Sequence, residues 1–511
     1  MTPATLSAEA DPVARRAMNV LLLSMPDSFE HMASITVRMP NGALSSLAGN
    51  VDPHHRVAAA DLILVQRAVR DTVLDLLDEH APDVVGLSVM TFQRRTARKI
   101  IGLVRQRRPR ATVVVGGYDP SLAPEAWTDV ADVIVRGEGE LTFRELLRRL
   151  EAGRPPQDVA GLSYRGEAGW VHNPTRPVSG LEGAEIRLPD RGARVLEGYT
   201  FLGHQVDVVE TSRGCTFDCS FCSIIEMRGR NFHRFSFERV LADIKDARDR
   251  GARALFIVDD NVTLDVERFE ALCHALVAAG LHDLTYMVQA MTSAIANAPE
   301  SLAPLMRKAG FRYAFLGIEN VLEDDLQFLK ASAKNAEREH GRLVGNATVK
   351  ACERLRACGI YVVGGLIVGN PDDTRESIEA NLDFAARYVD WPYIQHPTPY
   401  PATPMTRELV ERGLLLDRPL ETYDGTTAVV KTEHLEPDEI EFLRWRRERF
   451  LKARHFPAAL RQSPWWVLRH APQMLGHTFR GHSWRWLVGL ESDRQVFARY
   501  QKIREAEREY L

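Results

Sequence analysis

Three of the six cysteines in this 511-residue chain fall within eight residues, at Cys215, Cys219 and Cys222. Three thiolates on one loop suit three irons of a [4Fe–4S] cluster. The fourth iron would have no protein ligand, and a vacant coordination position is what a small chelating molecule needs. The plainer alternatives are a zinc knuckle or three buried thiols. Zinc asks for a fourth Cys or His close by, and the nearest, His233, stands eleven residues on in an unrelated pattern. Cys273, Cys352 and Cys358 fall in helical or helix-end segments and read as core thiols, so no second cluster is expected. Six cysteines so distributed are no disulfide framework, and a reducing, cytoplasmic location fits them.

A loop that holds a cluster needs rigid elements around it, and the chain predicts two sets. Apolar runs at 19–24, 57–65, 83–88, 111–116 and 132–135 alternate with helical spacing at 69–80, 96–107 and 140–150. That pattern implies a parallel sheet covered on both faces. Gly and Pro at 153–156 mark a boundary, followed by a connecting segment over 154–200. Strand-like runs resume at 206–210, 254–258, 285–288, 313–317, 361–368 and 391–395, with helices between them, for example 238–250 and 266–279. Six such units predict a partial (β/α)6 barrel over 201–405, with its active site at the strand C-termini. The organisation read from the sequence is a loose tail (1–18), a doubly wound α/β domain (19–153), the connector, the barrel, and a mostly helical C-terminal segment (406–511).

A CxxxCxxC loop after a strand, with aromatic Phe221 before the last Cys, closely resembles the radical S-adenosylmethionine (SAM) signature. In that family SAM chelates the open iron and is cleaved by an electron from the cluster. The resemblance implies SAM contacts at Phe221, at Asp260 and Asn261 ending the second barrel strand, and at Glu319 ending the fourth. It also implies contacts at Gly365 and Gly369 on a glycine-rich strand, where the family often has a Glu and this chain has Asp372. Residues 19–153 resemble the cobalamin-binding domain that precedes the barrel in one large subfamily. Ser88, Thr91, Gly116, Gly117, Gly137 and Glu138 carry that likeness, since strand-end glycines let a bulky ligand approach the backbone. One departure stands out. The Asp-x-His-x-x-Gly segment whose His binds cobalt in many such domains is missing: Asp27 to His31 has the wrong spacing, and Asp52 with His54 and His55 lacks the Gly. No His below cobalt is therefore expected.

The whole layout is similar to cobalamin-dependent radical SAM methylases, including hopanoid C-3 methylases and natural-product C-methylases. It implies a [4Fe–4S] cluster, SAM and cobalamin as cofactors. The implied partners are a small-molecule or lipid substrate and an electron donor such as flavodoxin or ferredoxin. A related oxidative cyclase without methyl transfer is the first alternative; a cobalamin-responsive regulator would not need the three cysteines. A formal charge of −4 gives no reason to expect nucleic acid as a partner, and no run of about 20 apolar residues predicts a membrane-spanning helix. Between Arg444 and Trp486 stand ten Lys or Arg, one acid (Glu448), and five of the eight tryptophans. Such a stretch can meet a membrane peripherally or cover an apolar or anionic substrate, or it can pack on the barrel and expose its arginines.

Overall fold

The computed structural model describes residues 17–29, 36–178, 181, 185–339 and 342–511. Most of the tail, and His31, lie outside them. The first sheet is built from β1 (Asn19–Ser24), β3 (Arg56–Asp61), β4 (Val84–Ser88), β5 (Thr112–Gly116) and β6 (Val133–Val135), all parallel. Their order, β3-β1-β4-β5-β6, reverses direction between β1 and β4, which is where doubly wound sheets bind ligands. Apolar residues point both ways from these strands because helices cover both faces. Leu21, Leu23, Val85 and Val113 pack on one side, and Leu22, Val84 and Val114 on the other.

The sheet continues past the boundary read at Gly153. A hairpin, β7 (Leu162–Gly166) and β8 (Gly169–His172), adds to β6 antiparallel within the segment read as a connector. The apolar run at 57–65 also splits: β3 stops at Asp61, and Leu62–Val65 forms a short 3-10 turn.

The second sheet holds β10 (His204–Val209), β13 (Ala254–Ile257), β14 (Thr285–Met291), β15 (Phe311–Glu319), β18 (Tyr361–Ile367) and β19 (Trp391–Gln395), parallel and in sequence order. This is the expected six-unit partial barrel. Two short strands extend its first edge: β9 (Thr200–Phe201) pairs with β10, and β2 (Val37–Arg38) pairs with β9. Thus a piece of chain between β1 and β3 of the first sheet closes the edge of the second. Two small hairpins complete the strands, β11 (Ser212–Arg213) with β12 (His233–Arg234), and β16 (Ala336–Glu339) with β17 (Arg342–Asn346).

The C-terminal helices Phe456–Gln462 and Pro464–Thr478 lie against the concave face near the strand N-termini. Ala459 and Val467 pack with Val206, Ala254 and Tyr313 there, and Ser463 meets His204, the first residue of β10, at 2.7 Å. Among the described residues no helix is long and apolar enough to cross a membrane.

Candidate functional site

The cysteine loop leaves the end of β10 and is fastened on three sides. Gly214 has φ +90°, and a Cβ there would fall 2.4 Å from the Asn231 carbonyl oxygen, so only glycine fits that turn. Its N–H donates to Asp260 Oδ2 at 2.7 Å. Ser220 N–H donates to Leu329 O at 3.0 Å, and its hydroxyl to Phe328 O at 2.8 Å. Asp259, behind the loop, accepts from Thr211 N at 2.6 Å and from the Ser212 hydroxyl at 2.6 Å. Cys222 ends the loop as the residue before helix Ser223–Arg228.

All six cysteines are free thiols. Among the described residues the three loop sulfurs are not gathered tightly enough to form a one-ion site. Burial pushes the Cys219 thiol up to about 11 and Cys222 up to about 12, so holding them as thiolates requires a strong local positive charge, which bound iron supplies. The donor set therefore fits the cluster that the sequence implies.

Several sequence-selected residues surround this loop. Asn261 Nδ2 reaches 3.8 Å from Cys215 Sγ. Glu319, at the end of β15, sits at φ +59° and accepts from Lys334 Nζ at 2.5 Å. Lys334 also lies 5.9 Å from the centre of the Phe221 ring. Despite burial, which disfavours the cation, Glu319 and the neighbouring cysteines raise its pKa. Lys334 gave no sequence signal, because it comes from the 3-10 turn Ser332–Asn335 beyond the strand end.

Other selected residues serve the protein itself. Asp260 is committed to Gly214 N and, at 2.8 Å, to Arg228. A Cβ at Gly365 would come 2.8 Å from the Phe315 ring, and one at Gly369 (φ +91°) 2.6 Å from Ile440. At both glycines packing leaves no room for a Cβ. Asp372 is exposed and paired with Arg412 at 2.6 Å. Its neighbour Asp373 is the buried acid, accepting from Gly369 N at 2.7 Å and Asn370 N at 2.8 Å.

Between the two sheets lies a cavity of about 380 Å³. Its walls come from strand ends of the first sheet, including Ser88, Gly116, Gly117, Gly137 and Glu138, and from Val208, Glu210, Arg213 and Val258 of the second. Leu22, Leu47, Val114 and Phe143 supply an apolar side. Thr91 lies off this wall, buried in the turn Thr91–Gln93. A Cβ at Gly137 would meet nothing within 4 Å, so the backbone there borders open space. Buried Glu138 Oε1 and Arg228 Nε have no hydrogen-bond partner and stand 3.7 Å apart. An apolar cavity with a glycine edge and polar atoms lacking hydrogen bonds suits the apolar and amide groups along part of a large ligand such as cobalamin, which is bulkier than the cavity itself.

An ion-pair network absent from the sequence reading joins this wall to the cysteine loop. Buried Arg213, two residues before Cys215, donates at 2.6 Å to both Glu140 and Glu210. Glu140 also accepts from the Ser46 hydroxyl at 2.7 Å. Burial alone would raise the Glu140 carboxyl, but Arg213 and these hydrogen bonds hold it down at about 2. Arg228 then links Glu138 to Asp260.

His54 and His55 precede β3, at the sheet end opposite the cavity. His54 pairs with Glu151 at 2.9 Å, and His55 Nδ1 accepts from Met18 N at 3.1 Å. Neither lines the cavity.

Residues 32–147 match the B12 binding domain, and residues 209–385 match the radical SAM superfamily. The chain is 28% identical over 435 residues to an uncharacterised methyltransferase of Pyrococcus horikoshii, covering 84% of this chain and 91% of that protein. It is 26% identical to the anaerobic magnesium-protoporphyrin IX monomethyl ester cyclase of Rubrivivax gelatinosus (83% and 75% covered). With the hopanoid C-3 methylase of Methylococcus capsulatus it shares 28% (70% and 66% covered). The fold is similar to that of the methyltransferase TsrM from Kitasatospora setae, with a TM-score of 0.62 at 20% identity over 77% of this chain and 75% of that one.

Proposed function

We propose, since this chain is a radical SAM enzyme with a B12-binding domain, that it methylates an unactivated carbon of an apolar substrate, either a hopanoid-like lipid or a natural product. The enzyme is of the cobalamin-dependent radical SAM methyltransferase type, and its cofactors are a [4Fe–4S] cluster, SAM and cobalamin. When bound, these groups supply an electron, hydrogen-atom abstraction and a transferable methyl group. The observation that carries the reading is the shared wall: one ion-pair network fixes the cavity edge at Glu138 and Glu140 to the loop bearing Cys215.

In this reading Cys215, Cys219 and Cys222 hold iron. Phe221, Asn261 and Glu319 border SAM, with Lys334 added as a cation beside it. Asp260, Gly365 and Gly369 act one step back, shaping the loops that carry those contacts. Ser88, Gly116, Gly117, Gly137 and Glu138 receive cobalamin, and Thr91 supports the turn behind them. Arg213 and Arg228 keep the two halves of the site in register, which reactions between separately bound groups require. An electron donor of flavodoxin or ferredoxin type and a reducing cytoplasmic setting belong to the same reading.

The cyclase relative favours a second reading, oxidative cyclisation without methyl transfer. Anaerobic reconstitution with cobalamin and methyl-labelled SAM, against lipid and natural-product extracts, separates the two. Methylation adds one labelled CH₂ unit to a product. Turnover that leaves products unlabelled overturns it in favour of cyclisation.

A further inference from the structure

The C-terminal segment presents a face that neither the cavity nor the cysteine loop uses. Trp465, Leu468, Pro472 and Leu475 fall on one exposed side of helix Pro464–Thr478, while Val467 on the opposite side is buried in the barrel. A few residues on in the chain, Trp484, Leu487, Val488 and Leu490 are also exposed. Trp465 is 84% exposed, Leu487 75% and Trp484 68%. Large apolar groups at such exposure on two successive segments mark an interaction surface. By contrast Trp466 stacks on His470, and Trp486 donates to Asp493, so these two tryptophans are not part of it.

The charge around this face identifies what it meets. From Phe450 to Leu490 there is no Asp or Glu and there are six Lys or Arg. Arg480 is neutralised by Glu507 and Lys452 by Glu448. Arg461, Arg469 and Arg485 are exposed and, among the described residues, form no ion pair. A second copy docking face to face would bring like charges together. Tryptophans and leucines flanked by unpaired arginines match the boundary of an anionic bilayer, where apolar rings enter and guanidinium groups meet headgroups. We infer that this face docks the protein on an anionic membrane surface. Because helix Pro464–Thr478 sits at the strand N-termini, its part of the docked face is at the barrel end away from the cysteine loop. It anchors the protein and does not open into the site, so the inference is independent of the substrate.

The test uses the full chain with vesicles of phosphatidylcholine alone or mixed with phosphatidylglycerol. Co-sedimentation is expected only with the mixed vesicles at low salt, and release at about 0.5 M salt. At about fivefold per arginine, the triple variant R461Q/R469Q/R485Q should bind roughly a hundredfold more weakly. Trp465→Ala with Leu487→Ala should lose at least about tenfold; these side chains are exposed, so thermal melting should not change. No binding to mixed vesicles at low salt overturns the inference. So does a vesicle-free dimer that dissociates in the Trp465/Leu487 variant, which would assign the face to a second copy. Loss of binding in the arginine variant alone, with the apolar variant unaffected, would overturn the part given to the apolar side chains and leave a purely electrostatic patch.

Discussion

Two strand-end loops of this molecule look alike in sequence and differ in what they leave undone. The loop at Gly137 and Glu138 borders open space, and Glu138 Oε1 is buried without a hydrogen bond, 3.7 Å from Arg228 Nε. In the loop from Gly369 to Asp373, Asn370 Oδ1 is likewise buried without a hydrogen-bond partner, but a Cβ at Gly369 would strike Ile440, and Asp373 accepts two backbone N–H groups. Glycine beside an acid is thus not by itself a ligand signal. Free volume beside an unpaired polar atom is the better sign, because a ligand needs both room and a group to bond.

The sharpest way to break this contrast is at the cysteines, which belong with the unfinished loops. Replacing Cys219 with Ala should abolish the iron–sulfur absorbance near about 400 nm after anaerobic reconstitution, whereas Cys273→Ala should retain it. The opposite pattern would reassign the ligands. Next in size is the wall between the domains. Glu140 has a pKa of about 2 in the fold against an ordinary 4.5. Its stabilisation is present above pH 4.5 and is lost as pH falls toward 2. Glu140→Gln should cost about 3 kcal/mol in denaturant melts at pH 7, and should remove that part of the acid-limb slope.

Glycine substitutions then separate the two loops directly. Gly369→Ala should destabilise the cofactor-free protein by about 2–3 kcal/mol, from crowding and left-handed backbone. Gly137→Leu should cost only about 1 kcal/mol of stability, yet weaken cobalamin binding about tenfold or more, since its side chain enters the cavity. Equal stability losses with unchanged binding would erase the distinction. Gly117 is a poor probe, because a Cβ there already falls 2.8 Å from Val89 O. The smallest effect expected is none: His54→Ala should leave the paramagnetic resonance of bound cob(II)alamin unchanged, with no nitrogen splitting from protein histidine in either form.

What could be read from the sequence was local. Cys215, Cys219 and Cys222 announce themselves by spacing, and β-branched runs mark the two parallel sheets by composition. Residues 69–80 show helical periodicity and form the helix Val69–His80. What could not be read depended on distant partners. Arg213 meets Glu140 across 73 positions, and Lys334 reaches Glu319 from a turn without a motif. Asp372 and Asp373 are indistinguishable in sequence, and only the turn's direction buries one and exposes the other. The β7–β8 hairpin was hidden because short strands at a sheet edge carry little periodic signal.

The path of the chain between the two sheets also bears on how the enzyme is loaded. After β1 the backbone crosses to the second sheet at β2, returns for the rest of the first, and crosses again before β9. Tyr510 and Leu511, at the far end of the C-terminal helices, pack back against the first core. Two bodies laced in this way do not swing apart on one hinge, as domains joined by a single linker do. A ligand as large as cobalamin must therefore enter during folding or through local loop rearrangement, and once seated it should exchange slowly, behaving as a resident part of the enzyme instead of a passing cosubstrate.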